Sequence, residues 1–475
     1  MKETKLWING KWEDTKDTYE LSSPYSGEII AKVAKASVQD VERAIEGAHE
    51  AFQTFKMTTA YERAEILYKV VDIIRERKQE FAEILAKEAG KPISTGLAEI
   101  ERTITTYQFS AEAAKQLYGE TVPMDAAPGG KDRIGFTKRV PLGVVSAITP
   151  FNFPFNLVAH KLGPAFAVGN TVVLKPATQT PLSALVMAEI FKEAGLPNGA
   201  LQIVTGSGGE LSDVLVTHPL VKKVTFTGSG AVGMKIKEKV GLRMVTLELG
   251  SNAAVIIEPS TPIEKIISRA VSGAFNFSGQ VCISLQRIYV HESIYDQFTE
   301  AFVEETKKLK LGDPLDPATD LSAMINPKEV ERIKEWIEEA KMQGAKVATG
   351  AEFTERTMTP TVMVNVTPDM KIMCLETFAP IVSIVPYKTL DEAIRYVNDS
   401  ELGLNAGIYT NVLTDAMRAA DEVEAGAVVI NDIPTFRVDH MPYGGIKNSG
   451  YGREGIKYAI EEMTELKFIT IKSVF

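Results

Sequence analysis

Only two cysteines, Cys282 and Cys374, occur in this chain of 475 residues. Cys282 closes the run Asn276-Phe277-Ser278-Gly279-Gln280-Val281-Cys282, directly after an apolar, helical stretch at 264–275. A free cysteine in apolar surroundings is most often a buried core thiol. The Gly-Gln break beside Cys282 favours exposure instead. An exposed thiolate attacks electrophilic carbon, provided its surroundings lower the thiol pKa. Two cysteines do not make a disulfide framework, and no CxxC pair exists. The five histidines (His49, His160, His218, His291, His440) are scattered, so no metal site is expected.

Other candidates end strand-like segments. Glu248 lies in Leu247-Glu248-Leu249-Gly250 and reads, taken alone, as a solvated strand end. Asn152, within Thr149-Pro150-Phe151-Asn152-Phe153-Pro154, reads alone as a turn residue. Lys175 closes the strand-like Thr171–Lys175 and reads alone as a surface strand end. Gly228-Ser229-Gly230-Ala231-Val232-Gly233 fits GxGxxG after a strand and before a helix. Glu248 follows Gly228 by 20 positions, where a dinucleotide fold places a ribose-binding acid.

These residues need a scaffold. Residues 5–35 alternate and carry turn signals, which suggests a short antiparallel meander. Residues 38–118 have helical periodicity, with Ser37 as an N-cap and Gly90 as a helix stop. Residues 121–140 read as a hairpin around Pro128-Gly129-Gly130. From 141 short apolar strands alternate with helices, which predicts a mostly parallel, doubly wound sheet with ligands at its strand C-termini. A second cycle of strands and helices follows, and residues 464–475 form a strand-like tail. The fold class is therefore α/β: two doubly wound domains plus a small β element.

Taken in order, six motifs carry a wider likeness: Thr149–Pro154, Lys175-Pro176-Ala177, Phe226-Thr227-Gly228-Ser229, Leu247–Gly250, Gly279–Cys282 and Glu376-Thr377-Phe378-Ala379-Pro380. Together with Pro442-Tyr443-Gly444-Gly445-Ile446-Lys447-Asn448-Ser449-Gly450, the chain resembles the aldehyde dehydrogenase superfamily over essentially its whole length. The resemblance implies a dinucleotide-binding domain of residues 1–119 and 140–249 and a catalytic domain of 250–455. Residues 120–139 and 456–475 would form an oligomerisation element, giving a homodimer or homotetramer.

The same resemblance implies NAD(P)-dependent oxidation of an aldehyde to its acid. Cys282 is the implied nucleophile, forming a thiohemiacetal and then a thioester. Asn152 matches the oxyanion-stabilising position, acting with the Cys282 backbone N–H, and Glu248 the base that activates water against the thioester. This match argues against Glu248 as a ribose ligand. Thr149, Pro150, Phe151, Lys175, Thr178, Gly228, Ser229, Leu249, Glu376 and Phe378 match the cofactor site. Within it the helix starting near Ser229 meets the pyrophosphate, Lys175 the adenosine ribose, and Glu376 and Phe378 the nicotinamide side.

Two departures carry information. Thr178 stands where NAD-preferring relatives carry a glutamate, so NADP is expected to be accepted as well as NAD. Leu375 and Ala379 replace the usual residues beside Glu376, with no direction implied. Toward the substrate, His160 and the stretch 431–439 resemble the lactaldehyde and phosphonoacetaldehyde dehydrogenase branch, and residues 175–181 resemble succinate-semialdehyde dehydrogenases. Arg102, His160 and Arg437 are the expected substrate-binding residues. Arginines suit an anionic tail, although Arg102 could equally pair with a neighbouring glutamate. Val281 stands where phosphate-binding relatives often have arginine. The expected substrate is a small polar aldehyde of the lactaldehyde, succinate-semialdehyde or sulfolactaldehyde type.

The alternatives are a CoA-acylating semialdehyde dehydrogenase, against which Glu248 argues, and a non-catalytic dinucleotide-binding relative. A net charge of −10 speaks against nucleic acid or an anionic membrane as partner. With no apolar run of spanning length and no signal-peptide pattern, a cytoplasmic location is expected.

Overall fold

The computed structural model describes residues 2–474; Met1 and Phe475, the ends of the expected first strand and tail, lie outside the described residues. The strand–helix grammar after residue 141 builds an eight-stranded sheet. Its order is Gly450–Tyr451, Met244–Glu248, Val221–Thr227, Val144–Ile148, Thr171–Lys175, Leu201–Ile203, Leu6–Ile8 and Lys11–Glu13. The five strands from Met244–Glu248 to Leu201–Ile203 run parallel, and the outer ones are antiparallel. Chain order reverses beside Val144–Ile148: later strands Thr171–Lys175 and Leu201–Ile203 lie on one side, Val221–Thr227 and Met244–Glu248 on the other. In open α/β sheets this switch opens a crevice at the strand C-termini. Thr149, Gly228 and Leu249 follow three of those ends.

A seven-stranded sheet, parallel except for its first strand, runs Lys346–Thr349, Thr361–Val364, Ile381–Tyr387, Arg287–His291, Ala254–Ile257, Asn405–Tyr409 and Ala427–Ile430. Its central strands are buried except for His291 at the end of one, as a sheet covered by helices on both faces requires. A third, antiparallel sheet pairs Thr464–Lys472 with Arg133–Pro141, and that strand with Thr121–Val122.

Two segments depart from the expected layout. The stretch 5–35 is not one meander. Leu6–Ile8 and Lys11–Glu13 extend the eight-stranded sheet through Trp7 paired with Ile203, whereas Asp17–Ser22 and Ile29–Lys35 join a separate three-stranded sheet. Alternation marks a strand without naming its partner. The tail strand runs Thr464–Lys472 as expected, but the residues before it, assigned to the small β element, form helix Ile456–Glu462, whose Ile456 and Ile460 enter the core of the first α/β unit. Local signals act as read elsewhere. Ser37 and Asp40 form a reciprocal cap on helix Val38–Phe55, and Gly90 ends helix Lys78–Ala89 in the left-handed region. Among the described residues no helix is long and apolar enough to cross a membrane.

Candidate active site

A cleft of about 580 Å³ lies at the switch point, with one wall from the eight-stranded sheet and the other from the second α/β unit. Asn152, Glu248, Cys282, Glu376 and Phe378 all line it, as do Thr149, Pro150, Phe151, Gly228, Ser229 and Leu249. Lys175 and Thr178 flank it, their neighbours Ala177 and Gln179 forming part of the wall. Arg102, His160 and Arg437 are not on this wall.

Cys282 reaches the cleft through a tight turn. After helix Ile263–Phe275, Phe277 and Ser278 adopt φ of 49° and 53°. Such left-handed geometry in non-glycine residues costs about 1–3 kcal/mol each and needs support. Ser278 Oγ donates to the Ser322 carbonyl at 2.9 Å, and Gln280 Oε1 accepts from Ile325 N–H at 2.9 Å. The Gln280 carbonyl accepts from Asn152 Nδ2 at 3.0 Å, which ties the cysteine turn to the asparagine loop. Cys282 is part-exposed, with Sγ 2.9 Å from Tyr443 Oη. Enclosure still pushes its thiol up to about 11, so the free thiolate needs help to form.

Asn152 is held from below. Its carbonyl accepts from Lys91 Nζ at 2.6 Å, and Lys91, itself ion-paired with Glu99, lies over the Phe153 and Phe277 rings. Glu99 Oε1 accepts from the N–H groups of Phe155 and Asn156, at the start of helix Asn156–Val168. One fully buried ion pair therefore fixes both ends of the loop. Only one of the two Asn152 amide N–H donors is committed by that bond to Gln280.

Glu248 ends strand Met244–Glu248 and is 2% exposed, yet neither carboxylate oxygen has a partner. Burial, and then the charge of Glu454, raise its pKa well above the ordinary range. An unpaired buried carboxyl is costly and is found where it has chemistry to do. The loop Tyr443-Gly444-Gly445 passes against it: a Cβ on Gly444 would lie 2.9 Å from Glu248 Oε1.

The cofactor-side residues offer complementary groups. Helix Gly230–Lys239 starts after Ser229 with no side-chain cap, so its first N–H groups are free to meet an anion. Burial lowers the Lys175 ammonium to about 8, and its one hydrogen bond, to the Pro176 carbonyl at 2.9 Å, leaves two donors. Burial likewise pushes Glu376 up to about 7; its Oε1 accepts from Ser251 N–H at 2.9 Å. Phe378 meets Phe151 edge-on at 5.7 Å. A free helix N-terminus, a lysine with spare donors and an aromatic pair along one cleft fit a dinucleotide.

Arg102, His160 and Arg437 do come together, but around carboxylates. Arg102 binds Asp439 through two nitrogens, at 2.7 and 3.3 Å, and not a neighbouring glutamate. His160 Nε2 lies 2.9 Å from Asp439 and 3.2 Å from Arg437, whose guanidinium also reaches Glu454 at 3.2 Å. Burial lowers the His160 pKa. Burial would raise the Glu454 carboxyl, but Lys161, with the other cations, holds it at about 2. Arg437 Nε and His160 Nδ1 remain buried without partners. Asp439, Glu454, Lys161, Lys91 and Tyr443 are functional neighbours that sequence reasoning does not single out. Each acts through contacts 61 to 337 positions away; Tyr443 and Asp439 lay inside recognised segments, but nothing local marked their partners.

This arrangement supports covalent oxidation at a thiol beside a dinucleotide cleft, and comparison with known proteins agrees. Residues 12–469 match the aldehyde dehydrogenase family model, and the chain belongs to the aldehyde dehydrogenase family. It is 49% identical to the 3-sulfolactaldehyde dehydrogenase of Priestia aryabhattai, over 99% of this chain and 98% of the relative. Its structure superposes with a TM-score of 0.97 on aldehyde dehydrogenase 21 of Physcomitrella patens in complex with the reaction product succinate, at 39% identity, covering 100% and 99% of the two chains. The NADP-dependent glyceraldehyde-3-phosphate dehydrogenase of Bacillus halodurans complexed with NADP also gives 0.97, at 35% identity, covering 99% and 100%. Solved relatives hold NAD or NADP.

Proposed function

We propose that this aldehyde dehydrogenase oxidises a small polar aldehyde of the sulfolactaldehyde, lactaldehyde or succinate-semialdehyde type to its acid, using Cys282, Asn152 and Glu248. The observation that carries the mechanism is the convergence of these three side chains on one cleft, Glu248 buried with both oxygens free. Cys282 Sγ attacks the carbonyl carbon, and the uncommitted Asn152 N–H and the Cys282 N–H hold the oxyanion. Such a donor is worth roughly 100- to 1000-fold in rate. The bound dinucleotide supplies the hydride acceptor; Lys175, Ser229, Glu376 and Phe378 would hold it. An acyl thioester is left on Cys282. Glu248 takes a proton from water, which attacks the thioester and frees the acid. A base placed for water favours hydrolysis over transfer to CoA.

The domain assignment follows the cleft: the eight-stranded sheet and its helices bind the dinucleotide, and the second unit carries the nucleophile. The exposed Ile134, Leu466, Phe468 and Ile471 on the small antiparallel sheet support a homo-oligomer built through this element.

For the substrate, the buried and unpartnered Arg437 Nε and His160 Nδ1 are hydrogen-bond capacity left for a polar tail. The three relatives named above act on, or hold, molecules bearing an acidic group. The test compares kcat/KM for anionic and uncharged aldehydes of equal size. A preference of roughly 10- to 100-fold for the anions, lost in Arg437→Ala, is expected from a charge-assisted bond. Equal rates in the unaltered enzyme would overturn an anion-binding role for Arg437.

Thr178 supports acceptance of NADP. Its hydroxyl donates to the Gly206 carbonyl at 3.1 Å and carries no charge to oppose a 2′-phosphate. Thr178→Glu should move the NADP-to-NAD ratio of kcat/KM roughly 10- to 100-fold toward NAD, the scale of a close, partly screened charge repulsion. Steady-state kinetics with both cofactors measures it; an unchanged ratio would remove Thr178 from the site.

A further inference from the structure

Tyr443 is the only side chain in hydrogen-bond contact with the Cys282 sulfur among the described residues, at 2.9 Å. Its backbone is pinned on both sides, Tyr443 N–H donating to the Glu454 carbonyl at 3.0 Å and Glu454 N–H to the Tyr443 carbonyl at 2.7 Å. The Arg437 guanidinium carbon lies over the phenol ring, 3.6 Å from its centre. A cation on that face draws charge from the ring and makes the O–H a stronger donor. We propose that Tyr443 is a catalytic residue: its hydroxyl, sharpened by Arg437, donates a hydrogen bond to Cys282 Sγ and so stabilises the thiolate that attacks the aldehyde.

Titratable groups reach this pair from several elements. Glu248 at the end of strand Met244–Glu248, Glu376 from the segment after helix Lys371–Cys374, and Cys282 itself are negative when ionised. Arg437 is the cation that opposes them, with Glu454 behind it. Burial holds the Tyr443 phenol well above its ordinary range, so it keeps its proton and acts as donor. The thiol proton therefore passes to water in the open cleft, and Tyr443 lowers the cost of the charge left on the sulfur. The sign follows. Donation to the thiolate lowers the Cys282 pKa, and removing the hydroxyl raises it.

This role rests on Cys282 being the nucleophile, but its readout is the thiol itself. The experiment measures the rate of Cys282 alkylation by iodoacetamide against pH in the full-length protein. A Cys374→Ser background removes the exposed second thiol. In Tyr443→Phe, which keeps the ring under Arg437, the midpoint should rise by about one pH unit and alkylation near neutrality slow about tenfold, the scale of one charge-assisted bond. Replacing Tyr443 by 3-fluorotyrosine, a more acidic donor of nearly the same size, should move the midpoint down. Superimposed midpoints, or a uniform slowing with no shift, would overturn the proposal. Whether the thiol goes on to form a thioester is decided separately by acyl trapping.

Discussion

Cys282→Ser should lower aldehyde oxidation on the order of 10⁵-fold while leaving dinucleotide binding within about twofold, since removal of a nucleophile from a concerted site costs about that much. The reason lies in the surroundings of the sulfur. Even a thiol is pushed up to about 11 there, and a hydroxyl starts several pH units less acidic. Serine keeps the size and the turn built on Ser278 and Gln280, so the cleft persists. The loss should appear in the first turnover, in the burst of reduced cofactor as well as in the steady state. Cys374, exposed and distinct from the cleft lining, should not substitute for it. Residual activity within 100-fold of the unaltered enzyme would rule out covalent catalysis at this position.

Glu248→Gln should separate the two halves of the reaction. Acylation and hydride transfer do not require the base that activates water, so a burst of about one reduced cofactor per subunit should remain. Turnover after the burst should fall roughly 100- to 10,000-fold, the range for loss of a positioned general base. The exchange is nearly isosteric in a site where neither oxygen has a partner, so no bond is broken. Burial lifts the Glu248 pKa well above the ordinary carboxylate range. In the unaltered enzyme deacylation should therefore rise with pH through that elevated value as the base form appears, and the rise should vanish in the variant. Loss of the burst together with the steady state would instead place Glu248 in the first half-reaction.

Local chemistry made much of the frame legible. The Ser37 cap and the Gly90 stop are properties of a few adjacent residues, and short apolar strands between helices imply a parallel sheet wherever they occur. Helix Ile456–Glu462 was not read, because a seven-residue helix beside a strand-like tail carries little periodic signal. What was not legible depends on pairing across the chain. Leu6–Ile8 joins the large sheet only because Trp7 meets Ile203. Glu248, a plausible solvated strand end by itself, is buried where the charges of Glu454, Arg437 and Lys161 reach it. Arg102 finds Asp439 rather than a glutamate on its own helix. The identities of the central residues came from a family likeness, because a lone cysteine, asparagine or glutamate has a bland reading that only the assembled cleft displaces.

The most direct test of a hydrolytic thioester mechanism at Cys282 is acyl trapping. Glu248→Gln is mixed with an aldehyde substrate and oxidised cofactor, quenched in acid during the slow phase, and examined by intact mass and peptide mapping. The predicted result is one acyl group per subunit, carried on the peptide that contains Cys282 and matched in amount by reduced cofactor. Reduced cofactor formed without acyl mass at Cys282, or acyl mass on Cys374 instead, would contradict the account.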